Sequence, residues 1–331
     1  MGSGRASWPI GFPEVLAARD RIRPYLAPTP LRSYAPLDEA VGSGLKVLVK
    51  HENHHPTNAF KARNGMSVMS TLTEEERRRG VVAATRGNHG LGLAWAGSLL
   101  RVPVTICVPL GNNPEKNAAL RGFGATLIEQ GRDYDEAVAV ADRLMRERGL
   151  RLVHSTNDPL VIAGAATMTL EIVEEAPLLD ALVLGVGGGS LAVGALTVAR
   201  ERRPGLQIYG VQAERASAIH DSWHAGRPIA GASADTFADG LATRSVYPLT
   251  FDPLRQGLAG FVKISEAEIA AALRLLLRTT HNLVEGAGAA GLAGLLRLRD
   301  RLAGKTVGIV LSGSNIDEQT LRRVVTGEYQ G

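Results

Sequence analysis

Short apolar runs alternate along this chain with longer stretches in which apolar residues recur every three or four positions. The runs 45–50 (LKVLVK), 81–85 (VVAAT), 104–109 (VTICVP), 125–130 (ATLIEQ) and 151–155 (RLVHS) predict strands. So do 181–186 (ALVLGV), 207–212 (QIYGVQ) and 306–312 (TVGIVLS). Helical spacing predicts helices over 59–72, 88–101, 134–149, 190–203, 266–279 and 287–302. Strands that alternate with helices imply an α/β protein with doubly wound sheets. No low-complexity linker divides the chain and no internal repeat is present, so a second α/β lobe is inserted in, or packed on, the first. No apolar run reaches the roughly 20 residues of a membrane span.

Composition changes this picture little. A chain of 331 residues is long enough for two lobes with a buried core. Its 38 glycines predict tight turns and close backbone approaches. The net charge is +4, with arginines spread along the chain. No basic block is interleaved with aromatics, which argues against nucleic acid as a partner. A modest positive excess suits a small anionic ligand. The single cysteine, Cys107, sits in the apolar run PVTICVP and reads as a buried strand residue. A disulfide framework and a multi-cysteine metal site are both excluded. The opening MGSGRAS has no apolar signal core, so a cytoplasmic location is expected.

Two chemistries compete in HENHHPTNAFKARNG, residues 51–65. His51-Glu52-x-x-His55 matches the zinc-hydrolase signature, which needs both histidines on one helix face. Here the motif follows the strand LKVLVK directly, and Pro56 biases His55 toward extended geometry. Extended residues four apart are about 13 Å from one another, too far to share a metal. The alternative is Lys61, placed where a helix begins after the strand turn. A lysine partly desolvated there has a lowered pKa and suits imine chemistry.

Four distant segments support the lysine. ATRGNHGLG (84–92) puts Asn88 and His89 at a helix start, where backbone N–H groups are free. GVGGGSLAVG (185–194) is a glycine cluster between a strand and a helix, an anion cradle into which a phosphate can approach closely. A dinucleotide fingerprint fits poorly: its third glycine falls on Ser190, and the next strand ends in Gln212 rather than an acid. VLSGSNID (310–317) offers Ser312 as a donor to a ring nitrogen, and VEGAGAAGLAG (284–294) places Glu285 before a small-residue helix.

Taken in order, AFKARNG, TRGNHG, VGGGSL, EGAGA and LSGSN resemble the motifs of the fold-type II pyridoxal-phosphate enzymes, in particular the threonine/serine dehydratase and serine racemase branch. The resemblance covers about residues 25–320. It implies two doubly wound α/β lobes with the cofactor in the cleft between them: a large domain of residues 1–69 and 157–331 and a small inserted domain of 70–156. It implies that Lys61 holds pyridoxal 5′-phosphate as a Schiff base, with Phe60 beside it, and that Asn88 bonds the 3-hydroxyl. Gly187, Gly188, Gly189, Ser190 and Leu191 would wrap the phosphate. Ser312 would face the ring nitrogen, and Gly240 and Glu285 would lie near the cofactor. Thr85, Arg86, Gly87, His89 and Asn58 would meet the substrate.

The chain departs from the family pattern in places. Arg86 stands where serine is usual before Gly-Asn-His; in the racemases that serine is the second acid/base, and arginine is a poor proton shuttle. Asn58 replaces a glycine and is expected to bring a side chain toward the substrate. Ser190 replaces a loop glycine. At the positions where many relatives bind a divalent metal, this chain has Gln212, Ala216 and Ala218, so no metal site is expected. The chain ends soon after SGSNID, so an appended regulatory domain is not expected. The implied activity is a dehydratase (ammonia-lyase) acting on a β-hydroxy amino acid of the L-threonine or L-serine type. His54, His55, Asn58 and Arg86 leave open a bulkier or acidic substrate such as phenylserine or 3-hydroxyaspartate. An amino-acid racemase, a β-replacement enzyme and a non-catalytic phosphate-binding module are the alternatives. A homodimer is usual for the family.

Overall fold

The structure, a computed structural model, describes residues 8–132 and 134–329; MGSGRAS lies outside them. Ten strands form two sheets among the described residues. They are β1 (Leu31–Ser33), β2 (Lys46–Lys50), β3 (Val81–Ala84), β4 (Val104–Val108) and β5 (Thr126–Glu129), then β6 (Arg151–Leu152), β7 (Ala181–Gly185), β8 (Gln207–Ala213), β9 (Gly260–Ile264) and β10 (Thr306–Val310). One sheet has six strands in the order β1-β2-β10-β7-β8-β9; the other has four, in the order β5-β4-β3-β6. All neighbours pair in parallel except β1 with β2. The smaller sheet is built wholly from residues 81–152, so it interrupts the chain between β2 and β7.

The helices are α1 (Phe12–Ile22), α2 (Ala35–Val41), α3 (Lys61–Met69), α4 (Glu74–Arg79), α5 (Asn88–Leu100), α6 (Pro114–Gly122) and α7 (Tyr134–Arg148). After them come α8 (Pro159–Glu175), α9 (Ser190–Arg202), α10 (Ala218–Ala225), α11 (Pro248–Gly257), α12 (Glu266–Thr280), α13 (Gly286–Leu298) and α14 (Glu318–Val325). All eight predicted strands and all six predicted helices are present. The strands β1 and β9 and several helices were not expected. β1 is only three residues long, and α8 is buried along most of its length, so it carries no amphipathic stripe to betray its period. No helix among the described residues is long and apolar enough to cross a membrane.

Glycines set the contact between the helix at the lysine and the smaller unit. A Cβ on Gly65 in α3 would lie 2.2 Å from the Gly92 carbonyl oxygen, and one on Gly92 in α5 would lie 2.2 Å from the Lys61 carbonyl oxygen. The two helices therefore touch backbone to backbone.

The expectation that residues 51–55 are extended is corrected. Glu52–His54 form a single 3-10 turn, closed by the His54 N–H on the His51 carbonyl. That turn stacks the rings of His51 and His54, 4.7 Å apart, while His55 turns inward.

Candidate active site

A cavity of about 620 Å³ opens at the C-terminal ends of strands from both sheets. This is where ligands bind in open α/β sheets. Its wall brings together Phe60 and Lys61 at the start of α3, the loop Thr85–His89 after β3, and the loop from Gly187 to Leu191 after β7. Gly240, Glu285 and Ser312 complete it. Asn58 is the one expected site residue that does not line the cavity. It is exposed, and its Nδ2 reaches Asn315 Oδ1 at 3.4 Å. Its φ of +54° supplies the reason for the residue type: asparagine tolerates the left-handed conformation that glycine adopts freely. His54 and His55 do not line the cavity either. His54 bonds Asn282 at 2.8 Å, and His55 faces Glu52 at 3.1 Å.

Lys61 is held in place by backbone. The Phe60 N–H donates to the Ser312 carbonyl at 2.9 Å, and the Ser314 N–H donates to the Asn58 carbonyl at 2.9 Å. The turn before α3 is thereby pinned to the turn after β10. Lys61 Nζ donates to the Ser155 carbonyl at 3.0 Å and lies 4.9 Å from the centre of the Phe60 ring. No acid pairs with it, and burial pulls its pKa down to about 8. In the ligand-free protein, an amine-selective reagent should therefore label Lys61 with a midpoint near pH 8. Peptide mapping across pH checks this; a midpoint near 10.5, the ordinary lysine value, would contradict the burial argument.

Below α3 lies a buried charge cluster. Arg63 meets Glu52 through two bonds of 2.7 and 2.9 Å, and Glu171 through two of 2.6 and 2.7 Å. Lys50 Nζ donates to Glu171 at 2.7 Å, and Thr29 Oγ1 donates to Glu52 at 2.6 Å. Burial opposes ionisation of Glu52, but the charges of Arg63 and His55 outweigh it and hold its carboxyl well below the usual range. Glu52 is thus fully engaged, and His51 turns to the Tyr34 hydroxyl at 2.9 Å. That, rather than the expected extension, removes the zinc reading. Gln212, at the expected metal position, uses its Oε1 to accept the N–H groups of Ile219 and His220 near the start of α10.

The glycine loop has the shape of an anion cradle. The first helical bond of α9 runs from the Val193 N–H to the Gly189 carbonyl. The N–H groups of Ser190, Leu191 and Ala192 therefore have no acceptor within the helix. A Cβ on Gly187 would lie 2.1 Å from the Gly240 carbonyl oxygen, and one on Gly188 would lie 2.1 Å from Thr156 Oγ1. Gly189 has a φ of +101°. The loop is confined to glycine by its neighbours as well as by any ligand.

Across the cavity, Asn88 Nδ2 donates to Glu285 at 2.7 Å, and Asn88 Oδ1 accepts from Asn315 Nδ2 at 2.7 Å. Gly87, not Asn88, caps α5. Burial, with Asp239 nearby, pushes the Glu285 carboxyl up to about 7, although Lys116 and Asn88 oppose the shift. Lys116 in α6 is paired with Asp239, joining the smaller unit to the turn Asp239–Leu241. Burial works against the charge on Lys116, but Asp239, Glu285 and Asp317 raise its pKa overall. Sequence reasoning missed this pair, because its partners lie 123 residues apart and neither stands in a motif. His89 is buried beside the cavity, with Nε2 3.1 Å from the Val153 carbonyl oxygen. Burial lowers its pKa to about 3, so it is neutral.

Comparison with known proteins matches residues 22–313 to the family described as pyridoxal-phosphate dependent enzyme. The chain is 39% identical to an L-threonine ammonia-lyase of Geobacter sulfurreducens, covering 93% of this chain and 76% of that one. It is 33% identical to an L-threo-3-hydroxyaspartate ammonia-lyase of Saccharomyces cerevisiae, covering 97% and 98%. Among solved structures, a bacterial threonine deaminase (T.th.) superimposes with a TM-score of 0.87 at 34% identity, covering 93% of this chain and 99% of that one. Maize serine racemase superimposes with a TM-score of 0.91 at 28% identity, covering 97% and 98%.

Proposed function

Because the chain belongs to the fold-type II pyridoxal-phosphate-dependent enzymes, we propose that it is a dehydratase that eliminates water from a β-hydroxy amino acid. The products are a 2-oxo acid and ammonia. The observation that carries the reading is Lys61: a buried amine with no acid partner, in one cavity with the glycine loop.

The residues present fit the cofactor. Lys61 Nζ would hold its aldehyde carbon, and the N–H groups at the start of α9 would hold its phosphate. Asn88 would bond the 3-hydroxyl, and Ser312 would face the ring nitrogen. When bound, pyridoxal phosphate supplies an electron sink for the negative charge that develops at the substrate Cα. A neutral serine hydroxyl at the ring nitrogen leaves that sink weaker than an acid would, which suits elimination over transamination. Lys61, once freed by the substrate amine, takes the Cα proton; a pKa near 8 matches such a base to neutral pH. The first helical bond of α5 is Leu91 N–H to the Gly87 carbonyl, so the N–H groups of Asn88, His89 and Gly90 are free to hold the substrate carboxylate.

The same reading takes residues 1–69 and 157–331 as the large domain and 70–156 as the small one, supported by the sheet of residues 81–152. A cytoplasmic homodimer belongs to it through the family resemblance. Racemisation is the second reading, favoured by the likeness to maize serine racemase. Arg86 at the serine position stands against it.

The test is ammonia release from β-hydroxy amino acids in both stereochemical series. Release from at least one supports the proposal. Recovery of substrate with inverted configuration and solvent deuterium at Cα, without ammonia, would replace it with racemisation.

A further inference from the structure

The cavity wall carries a positive charge that the reading above does not use. Arg86 follows Thr85 at the end of β3, on the loop into α5. It lines the cavity, is exposed, and makes no hydrogen bond or ion pair with another described residue. The other cations of the wall are committed. Lys61 bonds the Ser155 carbonyl, Lys116 pairs with Asp239, and Arg244 is engaged. The acids of the same wall are neutralised locally, Asp239 by Lys116 and Asp235 by Arg215.

Two anions already have their donors. The phosphate has the start of α9, and the substrate α-carboxylate has the start of α5. A third anion binder in one cavity is surplus for an amino acid with a neutral side chain. A guanidinium fork matches a carboxylate through two parallel hydrogen bonds. Because Arg86 is exposed, its charge stays hydrated and costs little until such a group arrives.

We infer that Arg86 is a specificity-determining residue that receives an anionic group on the substrate β-carbon. The preferred substrates are then 3-hydroxy dicarboxylic amino acids, with 3-hydroxyaspartate the smallest. This deepens the dehydratase reading and rests on it.

The test compares wild-type holoenzyme with Arg86→Ala and Arg86→Lys, using threonine and 3-hydroxyaspartate. In Arg86→Ala the ratio of kcat/KM for 3-hydroxyaspartate to that for threonine should fall on the order of 30-fold, the loss of a charge-assisted hydrogen-bonded pair. The loss should lie mainly in KM, and Arg86→Lys should recover part of it. An equal fall for both substrates would assign Arg86 to the α-carboxylate and overturn the inference, as would an unchanged ratio. A second measurement does not depend on turnover: calorimetric binding of succinate against butyrate, which share a four-carbon chain and differ by one carboxylate. Wild type should favour succinate and Arg86→Ala should lose that preference; equal binding of both acids by wild type overturns the inference. Ammonia from neither amino acid would count against the dehydratase reading, and the succinate comparison would still decide the role of Arg86.

Discussion

Replacing Lys61 with alanine should abolish ammonia release, by on the order of 10⁴-fold or more, because one residue both holds the cofactor and moves the Cα proton. The protein itself should survive the change. Lys61 Nζ makes one hydrogen bond, to the Ser155 carbonyl, and its burial is unfavourable to its charge. Removing it takes away a desolvated amine and leaves the turn before α3 tied to Ser312 and Ser314 through backbone. The melting temperature of the cofactor-free variant should therefore match or exceed that of wild type. Covalent capture of cofactor by borohydride should disappear with the activity. A variant that turns over at the wild-type rate would sink the assignment of Lys61.

Arg63→Ala should act in the opposite way, through stability. It removes a guanidinium buried between Glu52 and Glu171 and leaves Glu52, itself fully buried, without its main counter-charge. Breaking a buried pair from one side costs about 3–5 kcal/mol. The expected result is a large fall in thermal stability, read by calorimetry at pH 7. The dependence on pH has a fixed sign. Glu52 has a folded pKa well below its unfolded value of 4.5, so the stability it gains from ionisation is present above pH 4.5. That stability is lost as pH falls through 4.5 toward the folded value. The gap between wild type and variant should be widest above pH 4.5 and narrow below it. A gap that stays constant into acid would mean that Arg63 acts by packing alone.

The alternation of apolar runs and amphipathic stretches was enough to place every strand that reaches the cavity, because buried parallel strands are uniformly apolar and short. β9 was missed because GFVKI mixes buried and half-buried positions at the sheet edge. The site was legible wherever a strand end, a small-residue turn and a helix start follow one another, as around Lys61, Asn88 and Gly187. It was not legible where function depends on a meeting of remote segments. Nothing local to Lys116 announces Asp239, and nothing in HENHH announces that Glu52 turns inward to Arg63. Asn58 shows a different limit: a residue that departs from a motif suggested a new contact, whereas its φ shows that backbone shape selects it.

The backbone contact between Gly65 of α3 and Gly92 of α5 bears on how this enzyme can be redesigned. α3 begins with the base and α5 begins at the loop that would anchor the substrate carboxylate. With no side chain between the two helices, their separation is a fixed ruler laid along the bond from Cα to the carboxylate, common to every amino acid. Substrate range is then adjustable only off that ruler, in side chains such as Arg86 that face the variable end of the ligand. Libraries aimed at new substrates belong in the loop 85–87 and the segment 232–236, while the glycines at 65 and 92 should be left untouched.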